Sequence, residues 1–233
     1  FSIVYPKIKK NLKYDSLDQE EVEKVIPKEL YVKVFLDYDK NNYITADVKF
    51  GYDKIEFNPF IDEKNDVARD IIKETEALDI FLKTGFMLDQ KNARLILTND
   101  EAIYNFLSNE IELYMKKFEV LATEEFKEKQ ITQPKVSNIG IKVENNLLEL
   151  NFDGLDFELS ELKNIMDKYK LKKKFHRLKN GGFISLEEND TINLFESLQT
   201  NLDIDFKEIE KGEIKLPVYR SLYLERLLKN SNI

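Results

Sequence analysis

Residues 168–179 (KYKLKKKFHRLK) hold six lysines, one arginine and no acid. The chain around them is acidic, with 36 Lys and Arg against 44 Asp and Glu and a net charge of −8. Cations at this density neutralise phosphates, and aromatic rings set between them can stack on sugars or bases. The candidate contacts are Lys168, Lys170, Lys172, Lys173, Lys174, Arg177 and Lys179, with Tyr169, Phe175 and His176 interleaved. The turn sequence Asn180-Gly181-Gly182 follows, and glycine there would let the backbone approach a ligand closely. The same residues also read as an amphipathic strand. In that case Phe175 and Leu178 enter a core, the lysines are solvated, and acids elsewhere balance their charge. The acidic total argues against a protein that coats nucleic acid over its whole surface. It leaves room for a local basic site, because screening over roughly 8–10 Å lets patches act separately.

Other chemistries have less support. His176 is the chain's single histidine, and a general base needs partners placed in space, so a structural or exposed role is expected. There is no cysteine, which removes disulfides, thiol nucleophiles and thiolate metal sites. Carboxylates alone would favour Mg²⁺ or Ca²⁺ over zinc. Asp37, Asp39 and Asn41 resemble the start of a calcium loop, but Asn42 stands where its glycine belongs and Val48 where its glutamate belongs, so a hairpin turn is expected. Neither G-x-x-x-x-G-K-[ST] nor G-x-G-x-x-G occurs, and seven glycines in all leave little material for phosphate-cradling loops. No catalytic, cofactor-binding or metal-binding residue is expected, and the chain by itself should not hydrolyse ATP.

The elements that position the basic stretch follow from periodicity. Residues 30–37 and 43–50 alternate in hydropathy around Asp39-Lys40-Asn41-Asn42, which predicts a β-hairpin, and residues 54–57 add a third strand. Residues 2–10 read as an edge strand because of Pro6, and 11–26 as a loop or marginal helix ended by Pro27. The spacing predicts a helix over 64–83, with Ile71, Leu78 and Leu82 inward, widened by Ile72 and Phe81, and a glycine cap at Gly85. A short buried strand is expected at 93–97. Thr98-x-x-Glu101 reads as a capping box opening a helix with Ile103, Phe106 and Leu107; helix over 109–117, a strand at 118–122 and a polar helix near 123–129 follow.

Residues 130–138 are polar and aperiodic with Pro134, and mark the internal boundary. Beyond it, 139–143 and 148–152 alternate around Asn145-Asn146, a second hairpin. A helix is expected at 158–170, then strands at 173–178 and 183–186. Ser185-x-x-Glu188 reads as a capping box for a helix reaching 198. Residues 203–216 are acidic and poorly patterned, and Pro217 precedes a helix over 218–229, either core or connector. The expected fold class is α+β, antiparallel hairpins packed with helices in two similar-sized halves, residues 1–131 and residues 132–217 with the basic hairpin, followed by a terminal helix over 218–233. No apolar run approaches the roughly 20 residues of a membrane-spanning helix. No secretory leader is visible, and the start at Phe1 reads as that of an excised piece.

Five segments, in order and spacing, resemble the helicase-associated region of bacterial Swi2/Snf2-type DNA-dependent ATPases. They are YITADVKFGYDKIEFNPF at 43–60, RDIIKETEALDIFLKTGF at 69–86, EAIYNFL at 101–107, YKLKKKFHRLKNGGFISL at 169–186 and LPVYRSLYLERLLK at 216–229. The resemblance implies a bacterial, cytoplasmic parent with a zinc-binding SWIM module, this region, and a two-lobed ATPase motor. That parent would be a helicase-like hydrolase that uses ATP and Mg²⁺ in its motor to translocate on or remodel DNA or nucleoprotein. The chain itself is then expected to be a non-catalytic accessory domain. Its partners would be the motor of the same protein and, as a candidate, double-stranded DNA, with no membrane. The alternative is a scaffold or autoinhibitory module that packs on the motor without touching DNA. The resemblance carries over no catalytic residue, and DNA contact by the basic hairpin is inferred from charge alone.

Overall fold

A computed structural model of the chain describes residues 28–62, 67–187, 189–211 and 214–230. The strand expected at 2–10, the segment 11–26 and Glu188 lie outside these residues. The chain divides between Glu128 and Lys129 into two units, both α+β.

The first unit is built on the hairpin of β1 (Leu30–Tyr38) and β2 (Ile44–Tyr52), paired from Leu30↔Tyr52 to Tyr38↔Ile44. Asp39 makes the turn: its carboxylate accepts from the Asn41 and Tyr43 backbone N–H groups, both at 2.9 Å, and Asn42 takes φ +60°. The side chain that resembled a calcium ligand is a turn device, and no cluster of three metal-ligating side chains occurs among the described residues. The strands β3 (Ile55–Phe57), β4 (Met87–Asp89), β5 (Arg94–Leu97) and β6 (Glu119–Ala122) complete a sheet of order β4-β5-β2-β1-β6, with β3 also on β2. β6 pairs parallel to β1, an arrangement that hairpin signals in the sequence do not reveal. Alternation puts Val34, Leu36, Ile44, Val48 and Phe50 on the buried face.

Helix α1 (Ile71–Thr84) starts later than its periodicity predicts and, apart from the expected Phe81, turns a different face inward. Glu74, Ala77 and Phe81 are its buried residues, while Ile71, Ile72 and Leu82 are exposed. A carboxylate is tolerated there because Arg69 grips Glu74 through two nitrogens (2.9 and 2.5 Å) and the Tyr52 hydroxyl donates to it at 2.7 Å. The Tyr52 oxygen in turn accepts from the Asp70 N–H at 2.8 Å, and burial pushes its pKa well above the usual tyrosine value. Gly85, at φ +101°, closes the helix with Gly85 N–H on Leu82 and Phe86 N–H on Phe81, a Schellman end. The next helix begins one residue later than a Thr98 cap would place it. Asn99 is the N-cap of α2 (Asp100–Asn105), accepting from Ala102 N–H at 3.0 Å. A π-helical turn (Phe106–Glu110) joins α2 to α3 (Ile111–Lys117), and α4 (Glu124–Glu128) ends the unit.

The second unit holds two three-stranded sheets. Strands β8 (Asn138–Glu144), β9 (Leu147–Asp153) and β12 (Ile214–Pro217) form the first, in order β12-β9-β8. Strands β7 (Ile131–Thr132), β10 (Phe175–Arg177) and β11 (Phe183–Ser185) form the second, with β7 parallel to β11. Helices α5 (Leu162–Lys170), α6 (Asp190–Leu202), α7 (Phe206–Glu210) and α8 (Ser221–Asn230) pack a core that includes Leu150, Ile165, Met166, Ile184, Phe195, Leu198, Ile209 and Leu224. Two expectations change. Ser185 ends β11 instead of capping α6, because the strand pairs it with Phe175; Asn189 is the N-cap, accepting from Ile192 N–H at 2.9 Å. The poorly patterned 203–216 region contains both α7 and β12 and buries Ile204, Phe206, Ile209, Ile214 and Leu216.

Candidate functional site

The basic stretch becomes the end of one helix and the first strand of a hairpin. Helix α5 runs to Lys170 and stops in a Schellman motif: Lys172 N–H bonds Tyr169 O at 2.8 Å and Lys173 N–H bonds Lys168 O at 3.1 Å. The residue in the left-handed position is Lys172, at φ +54°. Helix α1 ends in the same motif with glycine. A lysine there carries a left-handed penalty of about 1–2 kcal/mol that glycine avoids. The apolar pair that commonly flanks such an end is replaced by Lys168 and Lys173. A cation near a helix C-terminus is favoured by the partial negative charge there, which offsets part of the strain.

The chain then enters β10, paired with β11 from Phe175↔Ser185 to Arg177↔Phe183. Leu186 N–H on Lys174 O (2.9 Å) holds the lysine run beside the strand's far end. The turn is closed from within: Gly181 N–H bonds Leu178 O, Leu178 N–H bonds Gly182 O, and Gly182 N–H bonds Asn180 Oδ1. Gly181 needs its freedom, at φ +93°. Both glycines are buried, and a Cβ on Gly182 would meet Asn180 Oδ1 at 3.3 Å. The close backbone approach expected for a ligand is thus taken by the chain's own atoms.

The stretch does not present its cations evenly. Lys172, Lys173 and Lys174 are exposed, and no ion pair or hydrogen bond engages their amines among the described residues. Lys170 is exposed but held, its Nζ donating to Gln199 Oε1 at 2.6 Å and lying 5.6 Å from the Phe206 ring. Arg177 is half-buried with its guanidinium 5.3 Å from the Phe183 ring. Lys179 is exposed at the turn, its Nζ 3.4 Å from Ser160 Oγ. Tyr169 and Phe175 are half-buried, and Phe175 packs edge-on against Phe183 at 5.4 Å.

His176 is withdrawn from this surface, at 5% exposure, and cannot stack on a base. Alternation turns it inward, where its Nε2 lies 3.3 Å from Glu161 Oε2. Glu161, 4% exposed, closes the short 3₁₀ turn Leu159–Glu161 ahead of α5. It also accepts from the Lys179 backbone N–H (3.3 and 3.4 Å), so one buried carboxylate ties the hairpin to the start of the helix. Burial, the largest influence, pushes the His176 imidazole below its ordinary pKa; Glu161 opposes the shift and Lys168 reinforces it. A neutral imidazole donating from Nε2 to the carboxylate fits this environment. The sequence contains no local signal for Glu161, which stands 15 residues before its histidine.

The lysine run edges a cavity of about 540 Å³. Tyr169 and Leu186 supply apolar lining, and Glu187 and Glu196 line it too. A second, mostly apolar cleft of about 290 Å³ lies between α8 and the β8–β9 strands, lined by Ile141, Leu148, Leu224 and Leu228. No described helix is long and apolar enough to cross a membrane.

The family model for bacterial SNF2 helicase-associated proteins matches residues 1–233. Comparison with curated proteins and with solved structures found no match.

Proposed function

The chain belongs to the bacterial SNF2 helicase-associated family, and from that premise we propose that it is a non-catalytic accessory domain that holds DNA for an SNF2-type motor. Lys172, Lys173 and Lys174 meet the phosphate backbone, independently of sequence. ATP and Mg²⁺ belong to the motor. The observation that carries the proposal is the set of three consecutive exposed lysine amines without an acid partner among the described residues, presented from a helix end whose left-handed position keeps a lysine. The held Lys170, the stacked Arg177 and the buried His176 contribute less or nothing to phosphate contact.

A titration of labelled duplex DNA against ionic strength tests this. Three phosphate contacts give a log–log salt slope of about −2.7 on B-DNA. Absence of binding to both duplex and single-stranded DNA at low salt would refute DNA contact. So would affinity unchanged by the combined Lys172→Glu, Lys173→Glu and Lys174→Glu substitutions. A second reading, a scaffold that packs on the motor, is favoured by the apolar cleft at α8 and by Ile141 and Val143, which are 48% and 66% exposed on β8. In that case the chain alters the motor's ATPase rate in trans with or without DNA.

A further inference from the structure

Phosphate contact alone does not account for the cavity beside the lysines. Its volume of about 540 Å³ is far larger than a phosphate needs and lies within the range of roughly 300–1,000 Å³ typical of small-molecule sites. Its lining has three chemically distinct parts. Lys172, Lys173 and Lys174 are cationic, Tyr169 with Leu186 is aromatic and apolar, and Glu187 and Glu196 are carboxylates that accept hydrogen bonds. A duplex backbone offers these two carboxylates no hydrogen-bond donor. They suit the exocyclic amine of a base whose Watson–Crick edge is free, as a carboxylate accepts from cytosine N4. Tyr169 is half-buried against the core and lines the cavity with the part of its ring that remains exposed; stacking of a base on such a ring tolerates any base.

We propose, on the premise that these lysines meet DNA as set out above, that the cavity takes one unpaired nucleotide of a DNA strand. Its phosphate lies on the lysine run, its base stacks on Tyr169, and its amine edge faces Glu187 and Glu196. The chain therefore prefers single-stranded or locally opened DNA to intact duplex.

The test measures affinity of the 233-residue chain for a labelled 20-nucleotide single strand, for the matching duplex, and for free dAMP, at one low salt concentration. The single strand is expected to bind at least about ten-fold tighter than the duplex, and oligo-dC tighter than oligo-dT, which lacks the amine. Tyr169→Leu should weaken single-strand binding by about ten-fold and duplex binding by less than about two-fold. Glu196→Gln should narrow the gap between oligo-dC and oligo-dT without lowering thermal stability, which keeps the test decisive if Tyr169→Leu unfolds. Equal affinity for strand and duplex, with both variants neutral, would overturn the nucleotide cavity while leaving phosphate contact standing. Free dAMP binding as tightly as the strand would assign the cavity to a mononucleotide and overturn the strand. Binding of none of the three would remove the DNA-contact premise itself.

Discussion

Replacing Lys172 with glycine separates charge from strain at one atom of the fold. Lys172 sits at φ +54° in the left-handed position of the α5 C-terminus. A side chain there costs about 1–2 kcal/mol relative to the right-handed conformation. Glycine relieves that cost but brings back about 0.5–1 kcal/mol of backbone entropy in the unfolded chain. The difference predicts a gain of about 0.5–1 kcal/mol for Lys172→Gly, or a melting temperature about 1–4 °C higher for a chain of this size. Gly85 supports the sign, since the same motif at the end of α1 uses glycine. The lost amine should at the same time make the salt slope on DNA shallower by about 0.9. Lys173→Gly is the control. It removes a neighbouring amine without relieving a left-handed residue, so it should weaken DNA binding without raising the melting temperature. Differential scanning calorimetry and the anisotropy titration read the two quantities separately. A melting temperature that falls with Lys172→Gly would refute the strain reasoning. An unchanged slope would remove Lys172 from the phosphate contacts.

Further perturbations follow from the buried groups. Burial lowers the folded-state pKa of His176, so the unfolded chain holds a proton more readily than the folded one. The contribution of His176 to stability is complete above its unfolded value of about 6.5 and is lost as pH falls through that value towards the lower folded one. Urea unfolding between about pH 7 and 5.5 should show the decline, and His176→Gln should flatten it. Glu161→Ala leaves the His176 ring N–H and the Lys179 backbone N–H buried without their acceptor, at a cost of about 1–3 kcal/mol each. A urea midpoint that does not move would show that the carboxylate is not the hairpin's anchor. Tyr52→Phe removes the hydroxyl that donates to buried Glu74 and accepts from Asp70 N–H, and should destabilise the chain by about 1–3 kcal/mol in the same assay.

Most of what was legible in the sequence was local. The β1–β2 and β8–β9 hairpins follow from alternation and turn residues, because a strand's two faces repeat every second residue. The helix at α5 and the Asn180–Gly182 turn follow from spacing and glycine in the same way. Legibility failed where a distant residue decides the outcome. Periodicity put Ile71 and Leu82 inside α1, whereas Arg69 and Tyr52 make it favourable to bury Glu74 instead. The parallel pairing of β6 with β1 joins segments more than eighty residues apart and leaves no trace in either segment alone.

The α+β character, the pair of hairpins and the dense positive stretch are thus properties of the sequence by itself, as is membership of the SNF2 helicase-associated family. Which of the cations stay available is decided only by tertiary structure. Gln199 and Phe206, far along the chain, hold Lys170; Phe183 lies beneath Arg177; Glu161 draws His176 inward; and Lys172, Lys173 and Lys174 remain beside a cavity that α5, α6 and the end of β11 build together. The physical reason is that charge is written residue by residue, whereas exposure and pairing depend on what the rest of the chain brings alongside.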